Sequence, residues 1–192
     1  MKIIIFIFSI CLVLEGCQKT NNTNPDSVNL NSSINSPIIA NQLKFIGNGF
    51  VHNGVYPKLY TCDSLGISPG LLWSNAPSTT TNFAITMYTI PPTGDKHVYI
   101  LLYNIPATTT SIPDNSKLIG IFGINTVDGK PTYTPPCSQG PGPKIYVLTI
   151  YALNALPTIT VPNTQVTLDI LLAGIKNKIV DSAVMSVTYT RP

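Results

Sequence analysis

From Leu43 onward the chain is cut into short apolar runs by turn-forming residues, and this punctuation constrains the fold more than any other feature. Phe83–Tyr88, Val98–Tyr103 and Ile145–Leu153 are rich in β-branched and aromatic residues and are bounded by Pro, Gly, Asn or Asp, so they read as strands. Leu43–Ile46, Lys58–Thr61, Leu118–Ile124 and Ala183–Thr190 carry the same pattern. Asp128-Gly129, between Leu118–Ile124 and Thr132–Tyr133, is a hairpin turn signal because Gly accepts the positive φ such turns require. One helix is expected: Pro162-Asn163 offers a cap, Val166, Ile170, Leu171 and Ala173 recur at helical spacing, and Gly174 stops the run. A second short helix is expected over Asn177–Asp181. Strands this frequent with so little helix predict a mainly β fold, a β-sandwich with one or two short C-terminal helices.

The N-terminus is of a different kind. Lys2 precedes the apolar block Ile3–Leu14, which suits a signal-peptide core and falls short of the ~20 residues needed to span a bilayer as a helix. Leu14-Glu15-Gly16-Cys17 follows, and Leu three before and Gly one before a Cys resembles the bacterial lipobox. On that reading residues 1–16 are removed and Cys17 is lipidated; an ordinary secretory signal cut nearby is the alternative. Two or more acyl chains hold a protein stably on a membrane. Gln18 after the Cys resembles outer-membrane sorting, so the expected location is the bacterial cell envelope. Lys19–Ala40 is rich in Asn, Ser, Thr and Pro, which makes residues 17–40 a flexible tether and leaves 41–192 as one domain.

Several function classes are poorly supplied. Lys and Arg total 11 without forming a run, which argues against a nucleic-acid partner. Glu15 is the only Glu, Arg191 the only Arg, and His52 and His97 the only His. A His-rich metal centre cannot be assembled from this set, and neither a metal nor a cofactor is expected. With so few acid–base groups, no catalytic residue is assigned and the protein is expected not to be an enzyme.

Cys11 and Cys17 belong to the leader, which leaves Cys62 and Cys137. In an oxidising compartment an even pair is a disulfide candidate, while free thiols remain open. No CxxC or CxxH spacing favours a metal, and no local His or Lys activates a nucleophile.

Tyr60–Trp73 (YTCDSLGISPGLLW) holds the only Trp in the chain. Trp73 is a large apolar group that anchors cores, and Ser68-Pro69-Gly70 is turn material, so this stretch reads as a tight loop feeding a core strand. Asp63, in a Cys-Asp-Ser turn, is expected to cap its own backbone.

Tyr-Thr-Cys-Asp followed by Ser-Pro-x-Leu-x-Trp is similar to the opening signature of the bacterial phosphatidylethanolamine-binding protein family, the Raf kinase inhibitor-like proteins. Val98–Pro106 (VYILLYNIP), Pro136-Cys137 through Tyr151-Ala152-Leu153, and Lys178-Ile179-Val180 onward to Arg191 resemble the later blocks. The resemblance runs from about Leu43 to Arg191 and implies that family's β-sandwich. In the family an Asp-Pro-Asp loop, a His-Trp pair and a His-Arg-Tyr run converge on an anion pocket. Here these align with Thr89-Ile90-Pro91, Tyr99-Ile100 and Lys144-Ile145-Tyr146, so the carboxylates and imidazoles are replaced. The closing-helix His is replaced by Lys178. His97, two residues before Tyr99, is expected to face the same side by strand alternation.

The resemblance therefore implies an altered pocket built from Tyr88, Tyr99, Lys144 and Tyr146. Lys supplies a cation and Tyr supplies O–H donors, a set suited to phosphate, sulfate or carboxylate. The ligand expected is a small anion or a phospholipid head group. The alternative is a decayed pocket on a protein-interaction or inhibitor module, whose feature would be an exposed apolar loop around Ala107–Pro113.

Overall fold

The computed structural model describes residues 42–92, 94–139 and 141–192. The expected leader and tether, 1–40, and the expected lipidation site Cys17 lie outside the described residues.

Among the described residues eight strands form two sheets: β1 Lys44–Gly47, β2 Leu71–Ser74, β3 Asn82–Thr89, β4 His97–Pro106, β5 Ser111–Ile112, β6 Ile121–Phe122, β7 Lys144–Leu153 and β8 Ile179–Tyr189. The small sheet has the order β1-β2-β5 and the large one β6-β4-β3-β7-β8, with every named pairing antiparallel. Strand side chains alternate faces, and the burial patterns follow from what each face meets. In β2, Leu71 and Trp73 turn inward while Leu72 and Ser74 face out. Seven of the eight residues of β3 are buried, because it lies mid-sheet with apolar layers on both faces.

One layer is the sandwich core, where Phe45, Leu71 and Trp73 of the small sheet meet Phe83, Ile85, Met87, Leu148, Ile150 and Val187 of the large one. Trp73 packs edge-on against Phe83 at 5.4 Å between ring centroids, a contact type contributing about 0.5–1.5 kcal/mol beyond area burial. The other layer covers the reverse face of the large sheet, where helix α1, Leu168–Ile175, packs with Val166 against Ala84, Leu101 and Leu153.

Several local expectations are corrected. Lys58–Thr61 is a 3₁₀ turn over Lys58–Tyr60: Pro57 fixes the entry, the Thr61 hydroxyl donates to the Lys58 carbonyl at 2.9 Å, and Tyr60 is pulled into the core. Leu118–Ile124 shrinks to β6 because Gly120 adopts φ +77° and Leu118 lies in solvent. The helix starts at Leu168, capped by the Thr167 hydroxyl, which accepts from the Ile170 N–H at 3.3 Å, while Asn163–Gln165 is a separate 3₁₀ turn. Gly174 lies inside α1, where a Cβ would stand 2.6 Å from the Thr158 carbonyl oxygen, so close approach of two backbones calls for Gly there. Finally, no second helix forms over Asn177–Asp181: β8 begins at Ile179, pairing Ile179 with Leu153. Asp128-Gly129 does turn the chain, yet Thr132–Tyr133 forms no strand. Buried Asn125 closes this loop, donating to the Asp128 carboxylate at 2.7 Å and to the Lys130 carbonyl at 2.9 Å.

Candidate ligand-binding hollow

At one end of the large sheet the last residue of β3 and the first residues of β4 and β7 meet the stretch Cys137–Gln139 around a hollow of about 540 Å³. Antiparallel pairing places these strand ends side by side, with Thr89 opposite His97. The three segments aligned with the family's ligand motifs therefore converge: Thr89-Ile90-Pro91, Tyr99 and Lys144 all line the hollow.

Tyr99 reaches this position through a bulge in β4. Tyr88 pairs with Val98 and Met87 with Ile100, so Tyr99 is an extra residue on that strand, and it shares the sandwich core with its neighbour Ile100. Bulges re-aim side chains in this way beside functional sites. His97 and Tyr99 both line the hollow. Tyr146 lies beneath it, wholly buried, with its ring 5.5 Å from that of Tyr99 and its hydroxyl 2.9 Å from the Ser138 hydroxyl. Tyr56 packs against Tyr146 at 5.9 Å between ring centroids, so the floor continues into the aromatic core. Lys144 stands at the rim, its ammonium donating to the Pro141 carbonyl at 3.4 Å.

Tyr88 is not brought to the site. It occupies the opposite face of β3, packed with the helix-side layer, and the Lys96 ammonium sits 4.8 Å from its ring centroid. Adjacent residues of a regular strand point to opposite faces, which separates Tyr88 from the hollow-lining Thr89. Ser138, by contrast, carried no signal beyond its place after Cys137, and only the fold brings it beside Tyr146.

The chemistry of the hollow is one-sided. Burial is the main cause that pushes the Tyr99 phenol up to about 12, and burial likewise raises Tyr146; both therefore stay protonated donors at neutral pH. Lys144 adds a cation, Ser138 a hydroxyl and His97 an imidazole, and among the described residues no carboxylate lines the hollow. Its collar is apolar and open to solvent, with Ile90, Val127 and Ile145 exposed by 63%, 48% and 58%. Such a site suits an anion joined to an apolar body. Among the described residues no group of three His, Cys, Asp or Glu side chains is placed to hold a metal ion.

Next to the hollow lies a knot. Cys62 and Cys137 form a disulfide with their Cα atoms 5.3 Å apart. Asp63 does not cap its own backbone: its carboxylate pairs with one edge of the Arg191 guanidinium, accepting from Nη2 at 2.7 Å and Nε at 3.0 Å, and accepts from the Tyr189 hydroxyl at 2.8 Å. These hydrogen bonds, Arg191 first, hold Asp63 below the usual carboxylate range. The stretch Ala107–Pro113 is exposed as expected at Ala107, Thr108, Thr110, Ser111 and Pro113, but it contains β5 and its large apolar residue, Ile112, is buried in the core.

The family model described as phosphatidylethanolamine-binding protein matches residues 47–190. A UPF0098 protein from Chlamydia pneumoniae is 26% identical over 157 residues, covering 78% of this chain and 99% of the relative. The UPF0098 protein YbhB from Escherichia coli is 27% identical over 124 residues, covering 58% and 78%. Among solved structures, a phosphatidylethanolamine-binding protein homolog from Chlamydia trachomatis matches with TM-score 0.72 at 24% identity, over 79% of this chain and 99% of that one. YbcL from Escherichia coli matches with TM-score 0.69 at 22% identity, over the same shares of 79% and 99%.

Proposed function

The chain belongs to the phosphatidylethanolamine-binding protein family, and from that premise we propose that it is a non-enzymatic binding protein of the bacterial cell envelope, anchored through Cys17, that takes a small anion or a phospholipid-like head group into the hollow. The observation that carries this reading is the meeting of Lys144, His97, Tyr99 and Ser138 around one space whose described walls offer no carboxylate. An anion entering there meets a cation and neutral O–H donors, and hydrogen bonds to charged groups are roughly twice as strong as neutral ones. An ammonium group meets no counter-charge in those walls, so the anionic part of a head group supplies the affinity. The test is calorimetric titration with inorganic phosphate and phosphoethanolamine. Saturable binding that Lys144→Ala weakens about tenfold, or ~1.4 kcal/mol, supports the reading; silence with both compounds overturns it.

The exposed collar of Ile90, Val127 and Ile145 favours a second reading, a protein-interaction or inhibitor module that docks over the same opening. Collar substitutions to Ser that leave phosphate affinity intact and release a captured partner would select it.

A further inference from the structure

The disulfide and the hollow share a residue. Cys137 lines the hollow, and Ser138, next in the chain, puts its hydroxyl 2.9 Å from that of Tyr146 in the floor. Thr134–Gln139 belongs to no strand, so no ladder of backbone bonds fixes this wall as one fixes β3, β4 and β7. Its backbone ties to the body of the fold are few: the Thr134 N–H donates to the Tyr99 carbonyl at 3.3 Å, and the Cys62 N–H to the Pro136 carbonyl at 3.1 Å. The partner half of the disulfide is anchored on both sides. Thr61, before Cys62, is wholly buried, and Asp63, after it, is clamped by Arg191 and by Tyr189 at the end of β8.

We propose that the Cys62–Cys137 disulfide is the positioning element of the anion site, hanging the Cys137–Gln139 wall from the Asp63 knot so that Ser138 and Tyr146 keep their place beneath the ligand. The proposal rests on the reading of the hollow as an anion site. Its physical basis is the steepness of hydrogen-bond geometry: a shift of about 1 Å carries a 2.9 Å contact out of bonding range. A shift of that size parts the Ser138 hydroxyl from Tyr146 and displaces it in the wall while the sheets, held by their own ladders, stay folded.

The test uses the full chain and inorganic phosphate. A dithiol such as dithiothreitol supplies two electrons and two protons, converting the S–S bond into two thiols as the reagent closes to its own cyclic disulfide. Reduction is expected to weaken phosphate binding about tenfold or more while the β7 and β8 amide resonances stay in place. A second variant separates positioning from stability: one Gly inserted between Cys137 and Ser138 keeps the disulfide but displaces the wall, and it is expected to lose affinity with its melting temperature retained. Phe83→Leu, in the core of the sandwich, is expected to do the reverse. Unchanged phosphate affinity in both the reduced chain and the insertion variant overturns the positioning role. Absence of binding by the oxidised wild-type chain instead overturns the reading of the hollow itself.

Discussion

The molecule treats its polar side chains in two opposite ways within one sandwich. Around the Ser68-Pro69-Gly70 turn the Asp114 carboxylate is fully engaged, accepting from the Gly70 N–H at 2.5 Å, the Tyr60 hydroxyl at 2.9 Å and the Asn48 amide at 2.9 Å. The Tyr60 phenol is pushed up to about 12, first by desolvation and then by its bond to Asp114. At the hollow, Lys144 has, among the described residues, a single 3.4 Å bond to a carbonyl, and its ammonium keeps donors to spare. The two regions thus separate polar groups engaged within the fold from polar groups with donors to spare. A group whose partners lie inside the chain stabilises that chain, whereas on the proposed function the donors around the hollow, whose described lining holds no carboxylate, serve an entering anion.

The largest test of this contrast is removal of the disulfide from the structural side. Cys62→Ala/Cys137→Ala opens a loop closed over 75 residues, and the chain-entropy account puts the loss at up to about 4 kcal/mol. Urea unfolding of the double variant beside wild type measures it, and a midpoint that does not move would mean the knot is held by Asp63 and Arg191 alone. Asp114→Ala comes next, with an expected loss of about 2 kcal/mol, because it leaves the Gly70 N–H without its acceptor and the Tyr60 hydroxyl with the Asn48 carbonyl alone. Phosphate affinity should be unaffected by it. Were Asp114→Ala to weaken the ligand as much as the fold, the division between the two regions would collapse.

Lys144→Ala inverts the pattern. Affinity should fall about tenfold, ~1.4 kcal/mol, while unfolding free energy stays within about 0.5 kcal/mol, as for surface substitutions that break no structural contact. Calorimetry and urea melts on the same sample decide it.

The contrast also explains how much could be read from the chain. β3, β4 and β7 were legible because Phe83–Tyr88, Val98–Tyr103 and Ile145–Leu153 are dense in the residues that suit a pleated, buried surface. Lys58–Thr61 carries similar residues but follows Pro57, and tertiary packing of Tyr60 won over strand propensity. The expected helix over Asn177–Asp181 gave way to pairing with β7, where Ile179 meets Leu153 and Asp181 meets Ala152, partners that local pattern does not show. For the site, resemblance located three converging segments but misplaced Tyr88, since one residue along a strand is a change of face. Ser138 and Asp114 were invisible for a common reason: a Ser or Asp acquires its role from partners distant in sequence, and Asp114 meets Gly70 and Tyr60 across 44 and 54 residues.

The two regions should finally separate by pH. Asp63, in the knot, has a folded pKa below its unfolded value of about 3.9. Its ionised form is favoured by the fold, so its contribution is complete above that unfolded value and is lost as pH falls through the lower folded one. Tyr99, in the floor of the hollow, is shifted the other way, to about 12, against about 10 for an unfolded Tyr. The neutral phenol is favoured by the fold, so its contribution is complete below about pH 10 and disappears as pH rises towards the folded value. Thermal melts across the acid range should therefore show a shallower decline in Asp63→Asn than in wild type, and Tyr99→Phe should show the shallower decline in the alkaline range. Near neutral pH neither variant should change the pH slope, because both groups hold one protonation state in both folded and unfolded chains. An acid-range effect from Tyr99→Phe, or an alkaline one from Asp63→Asn, would show that the knot and the hollow titrate as one network.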